Sequence, residues 1–272
     1  MGVRIHRSAF VSPGAELGDE VIISECAIIR DGVRIGDCVE IGPHSLVEGD
    51  TEIGAGTRVF HCAAIGLPPQ DLKYRGERTK LTIGRENTIR EFTSIHRGTT
   101  GGNGITKIGN GNLFMAYVHI AHDCEIGDGV IIANATNMAG HTKIHSGAVI
   151  GGLVAIHQFV HIGKMAMIGA SSLVLQDVLP YALVSGNPAR VRDINRIGMR
   201  RRGIEPDVID AVHRAIKIIT RGGLSLKSAA EMIERELTKF DEIAEIIDFI
   251  QNRSRRGIMR GIRADEDLCQ TR

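Results

Sequence analysis

Aliphatic side chains recur at every sixth position from Val11 to Val174 in this 272-residue chain. The pattern runs in three stretches, with a break after each of the first two. The markers are Val11, Leu17, Ile23, Ile29, Ile35, Ile41, Val47, Ile53, Val59 and Ile65, then Ile83, Ile89 and Ile95, then Ile108, Phe114, Ile120, Ile126, Ile132, Met138, Ile144, Ile150, Ile156, Ile162, Ile168 and Val174. Neither the α-helical period of 3.6 nor the strand period of 2 explains this spacing. A short, fixed period predicts a solenoid, and six is the repeat of a parallel β-helix.

Each six-residue unit has the pattern of a short strand followed by a turn, and three such units would close one triangular coil. Stacked coils pair their strands in parallel, with a rise of about 4.8 Å per coil. The absence of Trp and the 4% of aromatic residues fit an interior too narrow for large rings. We therefore expect an all-β solenoid. Chains with this repeat are left-handed parallel β-helices, an exception to the right-handed crossover rule.

The repeat fades near Pro180, which predicts a β-helix over residues 1–180 and an α-helical C-terminal domain over 181–272. Asn187 and Pro188 are typical of a helix N-terminus, with Gly203 as its end. Pro206 opens a second predicted helix that ends at Gly222 and Gly223. Apolar stripes in this region indicate ordinary core packing of helices: Ile209, Val212, Ile216 and Ile219, then Leu226, Ile233 and Leu237, then Phe240, Ile243, Ile247 and Ile250. The residues from about Ala264 are expected to fray.

Charge is unevenly distributed along the chain. Up to residue 180 there are 15 Lys and Arg against 18 Asp and Glu, and beyond it 18 against 14, a net charge of +4. That charge is too small for a general nucleic-acid-binding surface but suits an acidic partner. The sequence has no signal peptide and no apolar run of membrane length, so we expect no membrane span. Five cysteines without a CxxC pair indicate reduced thiols and a cytoplasmic location.

Two interruptions of the repeat predict loops at about residues 66–80 and 98–106. After Ile65 the next markers would fall on Asp71 and Glu77, whose carboxylates cannot point into an apolar interior. The markers Ile95 and Ile108 are thirteen positions apart instead of six, so seven residues are inserted. Loops on a rigid scaffold are common places for functional sites. The second, Gly-rich segment lacks the Lys-Ser/Thr of a phosphate-binding loop.

Polar residues gather at one predicted edge of the solenoid. Equivalent positions in successive coils stack, which predicts a column of Ile95, Ile120, Met138 and Ile156. Five of the eleven histidines lie beside that column, within about 15 Å: His96, His119, His122, His141 and His157. His122 precedes Asp123, and a carboxylate can fix the tautomer of a histidine that acts as general base. Because no Ser or Cys occupies a nucleophile elbow, we expect direct transfer without a covalent intermediate.

Two alternatives remain open on these residues. His119, His122 and His141 could coordinate zinc. The metal-bearing solenoid carbonic anhydrases instead place two ligands as His-x4-His, a spacing absent here, so we expect no metal. A non-catalytic binding scaffold is the second alternative, but it would not require an aligned His–Asp edge.

Several segments closely resemble the acyl-ACP–UDP-N-acetylglucosamine O-acyltransferase family, and the resemblance extends over nearly the whole chain. They are Gln70–Tyr74, Ser94–Thr99, His119–Cys124, Ala139–His141, Ala155–Phe159, Gly186–Asn187 and Arg200–Gly203. The resemblance implies transfer of a 3-hydroxyacyl group from acyl carrier protein to the 3-hydroxyl of UDP-N-acetylglucosamine, the first step of lipid A synthesis. It also implies a homotrimer with sites between subunits, and no cofactor beyond the phosphopantetheine thioester of the carrier.

The resemblance assigns roles to particular residues. It makes His122 the general base, Asp123 its orienting partner and the Gly140 N–H the oxyanion donor. Substrate-binding positions follow in the same way: Asp71 and Lys73 around the glucosamine, His119, His141 and His157 along the sugar and acyl path, Gln158 near the uridine, and Asn195, Arg201 and Arg202 at the diphosphate or phosphopantetheine. The resemblance also implies that Gln70 and His96 bind substrate. Ala170 would form the floor of the acyl groove.

The resemblance leaves alternatives within the same chemistry. Some relatives acylate a 3-amino sugar, and no residue here decides between hydroxyl and amine. Another hexapeptide-repeat acyltransferase is also possible. The later N-acyltransferase of the pathway usually carries an extra N-terminal uridine-binding domain, whereas the repeats here begin by Val11.

Overall fold

A computed structural model describes residues 2–221, 223–237 and 239–261. Within these ranges, 28 strands form three sheets that make the walls of a triangular prism. The first 26 strands visit three sheets, A, B and C, in turn, and they pair in parallel with the strands one coil below and above. The predicted parallel β-helix is therefore confirmed.

Most strands are only two residues long. Sheet A comprises β1 (Arg4–Ile5), β4 (Ile22–Ile23), β7 (Glu40–Ile41), β10 (Arg58–Val59), β13 (Thr88–Ile89), β16 (Leu113–Phe114), β19 (Ile131–Ile132), β22 (Val149–Ile150), β25 (Met167–Ile168), β27 (Ala182–Gly186) and β28 (Ala189–Ile194). Sheet B comprises β2 (Phe10–Val11), β5 (Ile28–Ile29), β8 (Leu46–Val47), β11 (Ala64–Leu67), β14 (Ser94–His96), β17 (His119–Ile120), β20 (Asn137–Met138), β23 (Ala155–Ile156) and β26 (Leu173–Val174). Sheet C comprises β3 (Glu16–Leu17), β6 (Val33–Ile35), β9 (Asp50–Ile53), β12 (Lys80–Ile83), β15 (Ile105–Ile108), β18 (Glu125–Ile126), β21 (Lys143–Ile144) and β24 (His161–Ile162).

The second residue of a two-residue strand carries the marker side chain into the interior. Ile95 pairs with Ile120, Ile120 with Met138 and Met138 with Ile156, so the predicted column is confirmed. Each of these side chains is at most 3% exposed. Burying such a side chain stabilises the fold by about 1.5–3 kcal/mol. Repetition of this burial in every coil explains why one aliphatic residue in six is enough to specify the prism.

Corner residues adopt a left-handed backbone conformation at regular intervals. Asp123, His141 and Phe159 occupy the same corner in three successive coils and have φ angles of 57°, 59° and 68°. For a non-glycine residue this conformation costs about 1–2 kcal/mol. Hydrogen bonds to the coil below offset that cost, since the His141 N–H donates to the His122 carbonyl (3.0 Å) and the Phe159 N–H to that of Gly140 (3.1 Å). The repeat thus fixes the direction in which corner side chains project.

Two loops interrupt the coils, both at connections from sheet B to sheet C. A regular coil advances the chain by eighteen positions, as from Ile126 to its partner Ile144. Ile53 instead pairs with Ile83, so this coil contains twelve additional residues. Ile83 pairs with Ile108, so the next coil contains the seven additional residues that the sequence predicts.

Both loops are bounded by lengthened strands. Loop 1 is residues 68–79, between β11 and β12, and loop 2 is residues 97–104, between β14 and β15. The strands that flank them have three or four residues instead of two. The interruptions therefore extend the pairing at the edge from which the loops leave.

The predicted helix start at Asn187 is wrong. Asn187 and the cis Pro188 form the turn between β27 and β28, an antiparallel pair that continues sheet A past residue 180. Asparagine and proline are common in turns as well as at helix starts, asparagine because its side chain bonds the nearby backbone and proline because its ring fixes φ. The first helix, α1 (Arg196–Arg201), begins later, with Asn195 as its N-cap and Gly203 just beyond its end.

Three further helices pack into the C-terminal part: α2 (Pro206–Arg221), α3 (Leu226–Leu237) and α4 (Asp241–Gln251). The predicted stripe of α2 is buried, with Ile209, Val212 and Ile216 at most 3% exposed. After α4 the chain returns to the β-helix, where Asp177 binds the Ser254 N–H and hydroxyl (both 2.6 Å). No helix of the described residues is long and apolar enough to cross a membrane. The fraying predicted from Ala264 lies outside those residues.

Candidate functional site

The B–C edge of the prism consists of the turns from sheet B to sheet C at residues 121–124, 139–142 and 157–160, with loops 1 and 2 below them. His122 and Asp123 occupy the lowest of these turns, and both are buried. His122 Nδ1 and Asp123 Oδ2 are 2.8 Å apart. Because an ionised carboxylate only accepts hydrogen bonds, His122 Nδ1 carries the proton and Nε2 is left as the basic atom. This is the geometry that a general base requires.

Asp123 is held by loop 2. Its carboxylate accepts hydrogen bonds from the Thr99 N–H (3.0 and 3.1 Å) and the Thr99 hydroxyl (2.7 Å). Its own N–H donates to the Thr106 hydroxyl at 2.8 Å. Burial alone raises the pKa of Asp123, but the hydrogen bonds from His122 and Thr99 outweigh burial, and the net pKa is lowered. The carboxylate therefore stays ionised and can balance a positive charge on His122.

Gly140 lies directly above His122. A Cβ at position 140 would stand 2.6 Å from Cε1 and 2.7 Å from Nε2 of His122, which is closer than atoms can approach. The backbone of Gly140 can come so near the basic nitrogen only because it has no side chain. Within the described residues the Gly140 N–H has no acceptor. It is therefore available to an oxygen that develops negative charge beside His122.

His141 completes a column of rings on this edge. Its ring is perpendicular to that of His122 (centroids 5.1 Å apart) and stacked on Phe159 (4.6 Å), and Arg255 covers the Phe159 ring at 3.4 Å. The His141 Nε2 lies 3.8 Å from Asp123 Oδ2. Burial lowers the pKa of His141. The negative charge of Asp123 and, more weakly, that of Asp71 oppose this decrease. His141 is thus suited to act as a neutral hydrogen-bonding group.

His119 lies in the same coil as His122, and His96 lies one coil below. The ring centroids of His96 and His119 are 5.1 Å apart. The His96 Nδ1–H donates to the Pro68 carbonyl (2.6 Å), and its buried Nε2 has no partner among the described residues. The His119 Nδ1 is 2.8 Å from the Ser94 hydroxyl. Burial lowers the pKa of both rings, and that of His119 falls to about 4, so both are neutral near pH 7.

The side chains that could hold a metal ion differ from the set of His119, His122 and His141 that the sequence suggests. The ligand atoms of His122, Asp123 and His141 lie within 4.8 Å of one another, while His119 interacts with Ser94. Three such ligands would suit a catalytic zinc ion. However, the His122 Nδ1 and Asp123 Oδ2 atoms are already engaged with each other. The expected absence of a metal stays a prediction.

Loop 1 carries the residues expected around the sugar. Gln70 and Lys73 are exposed and Asp71 is half-buried. The Asp71 carboxylate accepts the Lys73 N–H at 2.9 Å, which forms a local turn. On the other side of His141, His157 is exposed and Gln158 half-buried, with the Nδ1 of His157 3.1 Å from the Gln158 carbonyl. These residues share the B–C edge with His122, but their ligands stay predictions.

Four predicted binding residues do not lie on this edge. Ala170 is an exposed turn residue between sheets A and B, after β25. Asn195 caps α1, and its amide also donates to the Met165 carbonyl (2.9 Å) at the edge between sheets C and A. Arg202 extends over Gly147 of that same edge, and Arg201 precedes it on α1. A single chain therefore does not bring Ala170, Asn195, Arg201 or Arg202 to His122.

Sequence reasoning missed several residues that shape the edge. Ser94 and Thr99 belong to the segment Ser94–Thr99 that resembles the family, but nothing in the sequence connects either residue with the His–Asp pair, and Thr106 carries no signal of its own. Phe159 has a usable signal, since it follows His141 by one full coil of the repeat. Arg255 has none, because it comes from the segment after α4 and reaches the edge only through tertiary packing.

Comparison with known proteins gives consistent results. A family model described as UDP-N-acetylglucosamine O-acyltransferase, domain 2, matches residues 177–259, and a bacterial transferase hexapeptide model matches residues 105–139. The acyl-[acyl-carrier-protein]–UDP-N-acetylglucosamine O-acyltransferase of Thermodesulfovibrio yellowstonii is 47% identical over 94% of this chain and 99% of its own. The solved UDP-N-acetylglucosamine acyltransferase of Francisella novicida has a TM-score of 0.91 at 36% identity, over 94% of each chain. That of Campylobacter jejuni has a TM-score of 0.90 at 38% identity, over 95% of this chain and 100% of its own.

Proposed function

Because the chain belongs to the acyl-[acyl-carrier-protein]–UDP-N-acetylglucosamine O-acyltransferase family, we propose that it transfers a 3-hydroxyacyl group from acyl carrier protein to the 3-hydroxyl of UDP-N-acetylglucosamine, the first step of lipid A synthesis. The observation that carries this proposal is the His122–Asp123 pair, 2.8 Å apart, beneath the Gly140 N–H, which has no acceptor in the described part of the chain. This is a base next to an oxyanion donor, as direct acyl transfer requires.

His122 acts first. Its Nε2 removes the proton from the sugar 3-hydroxyl while the oxygen attacks the thioester carbonyl of the acyl donor. The imidazolium that forms is balanced by Asp123, which the Thr99 hydrogen bonds keep ionised. A positioned base of this kind contributes about 10²- to 10⁴-fold to the rate.

The tetrahedral intermediate places its negative charge on the former carbonyl oxygen. The Gly140 N–H donates to that oxygen, a contribution of about 3 kcal/mol in comparable sites. When the intermediate collapses, the carbon–sulfur bond breaks and His122 returns its proton to the phosphopantetheine sulfur. The enzyme therefore ends in its starting protonation state, and no cofactor is consumed.

We propose a homotrimer in which each site lies between two subunits. The support is that Ala170, Asn195 and Arg202 lie on edges other than that of His122. A neighbouring subunit would bring its own copies of these residues to the B–C edge. A monomeric mass in solution with full activity would refute this assembly. The left-handed sense of the coil and a cytoplasmic location are proposed on the same family grounds.

The acyl donor is acyl carrier protein, an acidic partner. The C-terminal part of the chain has a net charge of +4 and exposes Arg200, Arg201 and Arg202 together. Such a surface favours encounter with an acidic protein, and the attraction weakens with salt. Ion pairs of α1 residues with the carrier would therefore appear as a KM for acyl carrier protein that rises with ionic strength.

The deciding experiment assays a series of 3-hydroxyacyl carrier proteins with UDP-N-acetylglucosamine and with its 3-amino analogue as acceptors. A base-labile ester of the first acceptor is the expected product. Transfer only to the amine would establish N-acylation, and transfer to neither would favour a binding scaffold. Dialysis against EDTA should leave the rate unchanged, whereas zinc lost together with activity would establish the metal alternative.

A further inference from the structure

Residues 96–99 leave β14 at the B–C edge and run between loop 1 and the His122–Asp123 pair. The two ends of this segment contact different parts of the edge. His96 and Arg97 bind loop 1 and the end of β11, and Thr99 binds Asp123. Four consecutive residues thus touch both the expected sugar-binding loop and the catalytic carboxylate.

Arg97 contacts both the end of β11 and loop 1. The Arg97 N–H donates to the Leu67 carbonyl (3.1 Å), and its guanidinium donates to the Gly66 carbonyl and to the Tyr74 hydroxyl (3.2 Å). The Arg97 side chain is only 11% exposed. A Cβ on Gly49 would lie 2.7 Å from the Arg97 Cζ, so a glycine two coils below provides the space for it.

Tyr74 transmits this anchoring through loop 1. Its hydroxyl accepts from Arg97 and donates to the Glu77 carbonyl at 2.8 Å, while its N–H donates to the Asp71 carbonyl at 3.0 Å. Tyr74 therefore connects Arg97 to both halves of the loop. Asp71 and Lys73, the expected sugar ligands, lie within the part of the loop that this tyrosine holds.

At the other end, Thr99 contacts the Asp123 side chain, at a corner whose backbone hydrogen bond differs from that of the regular coils. In the coils above, the corner residue donates its N–H to a carbonyl of the preceding coil, as His141 does to His122. For Asp123 the equivalent acceptor would fall in loop 2, and the Thr106 hydroxyl takes its place. Loop 2 thereby brings Thr99 against the Asp123 carboxylate, with both an N–H and an O–H as donors.

We infer that residues 96–99 are a positioning strap, in which Arg97 holds the sugar-binding loop through Tyr74 and Thr99 holds the carboxylate that orients His122. This inference rests on the proposed function and adds positioning residues to it. Neither Arg97 nor Thr99 has to touch substrate. The Arg97 end should affect KM because it orders the sugar-binding loop. The Thr99 end should affect kcat because it orients the catalytic base.

The first arm of the test is Tyr74→Phe, which removes one hydroxyl and keeps the ring. We expect the KM for UDP-N-acetylglucosamine to rise about five- to tenfold, as for the loss of two hydrogen bonds, with kcat and the KM for acyl carrier protein unchanged. Trypsin should also cleave faster after Lys73, Arg75 or Arg78 within loop 1. The double variant Tyr74→Phe/Arg97→Met should lose less than the sum of the two single-variant losses, since both changes break the Arg97–Tyr74 contact.

The second arm is Thr99→Val, which keeps the shape and removes the hydroxyl donor. We expect kcat to fall about 10- to 100-fold with both KM values unchanged, as for other groups that orient a catalytic residue. Thr99→Ser should restore most of the rate because it restores the donor. The matched control is Thr100→Val, an exposed neighbour in the same loop, which should behave as wild type.

The two arms separate this inference from the proposed function. Wild-type protein that transfers no acyl group would refute the proposed function, while the trypsin measurement would still test the loop anchor. Active wild-type protein with Tyr74→Phe unchanged in KM and proteolysis would refute the role of Arg97. A Thr99→Val variant with unchanged kcat, or one that Thr99→Ser does not rescue, would refute the role of Thr99.

Discussion

The uninterrupted coils from β15 to β26 and the two interrupted coils below them share one interior but differ on the outside. In the upper coils paired residues are eighteen positions apart, which is three repeats, and the turns contain no inserted residues. In the lower coils the insertions of twelve and seven residues form loops 1 and 2, flanked by strands of up to four residues. The proposed catalytic residues His122 and Asp123 lie where these two regions meet.

The regular repeat provides a rigid scaffold, and the inserted loops provide additional hydrogen bonds to the residues of the site. His141 and Gly140 project from regular turns whose direction the period fixes. Thr99, Pro68 and Tyr74 come from the loops and contact those turns or their neighbours. A site held between a rigid column and anchored loops has the preorganisation that acid–base catalysis needs.

The largest expected effect tests whether both regions share one interior. Ile132→Asp in an upper coil and Ile89→Asp in an interrupted coil each place an unpaired carboxylate at a fully buried position. Both should lower the free energy of unfolding by about 4–5 kcal/mol or prevent folding. Chemical denaturation checks this, with the outward-facing Ile131→Asp as control. A tolerated Ile89→Asp would show that the interrupted coils are a loosely packed segment instead.

Gly140→Ala tests the close approach between a regular turn and the catalytic ring. The added methyl would displace His122, so kcat should fall about 10²- to 10³-fold while the protein stays folded. Gly101→Ala is the control, because its Cβ would lie 3.9 Å from the Thr99 hydroxyl, an ordinary van der Waals contact. Steady-state kinetics and circular dichroism of both variants measure the effect. Near-normal turnover of Gly140→Ala would mean that His122 Nε2 is not the basic atom.

Ala170→Met tests the contribution of a regular coil on a different edge. If Ala170 of a neighbouring subunit forms the groove floor, a longer side chain occupies space that the end of the acyl chain would fill. Each methylene of substrate that is no longer buried costs about 0.8 kcal/mol of binding free energy. The preferred acyl chain should then shorten by several carbons. Values of kcat/KM over a series of acyl carrier proteins give the profile. A profile identical to that of wild type would place the end of the groove elsewhere.

The smallest expected effect is a pH dependence of stability caused by His119, which lies between the two regions. Burial, with weaker repulsion from His96 and His122, lowers the pKa of His119 to about 4. The unfolded chain therefore binds more protons than the folded one between about pH 6.5 and 4, and stability falls as the pH is lowered through that window. His119→Gln should reduce the loss by about 1 kcal/mol at pH 5, allowing for partial exposure. Urea titrations at pH 7 and 5 compare the two proteins. An equal loss in both would remove His119 as the cause.

The period of six is enough to predict the interior, the stacking of Ile95, Ile120 and Met138, and the insertions. It also places His141 and Asp123 on one edge, because equivalent positions of successive coils must stack. The Thr99–Asp123 bonds could not be predicted, since the path of a loop has no period. The turn at Asn187 is mistaken for a helix start because the same residue types suit both. Arg255 reaches Phe159 only through the packing of the C-terminal helices.

His122 is the proposed general base, and His122→Ala tests that role most directly. Single-turnover acyl transfer to UDP-N-acetylglucosamine should be compared between purified wild-type and variant proteins with matched circular dichroism spectra. The rate constant for transfer should fall by about 10²- to 10⁴-fold, since the proton of the sugar hydroxyl would have no acceptor. A folded His122→Ala protein that keeps more than about a tenth of the wild-type rate would contradict the mechanism.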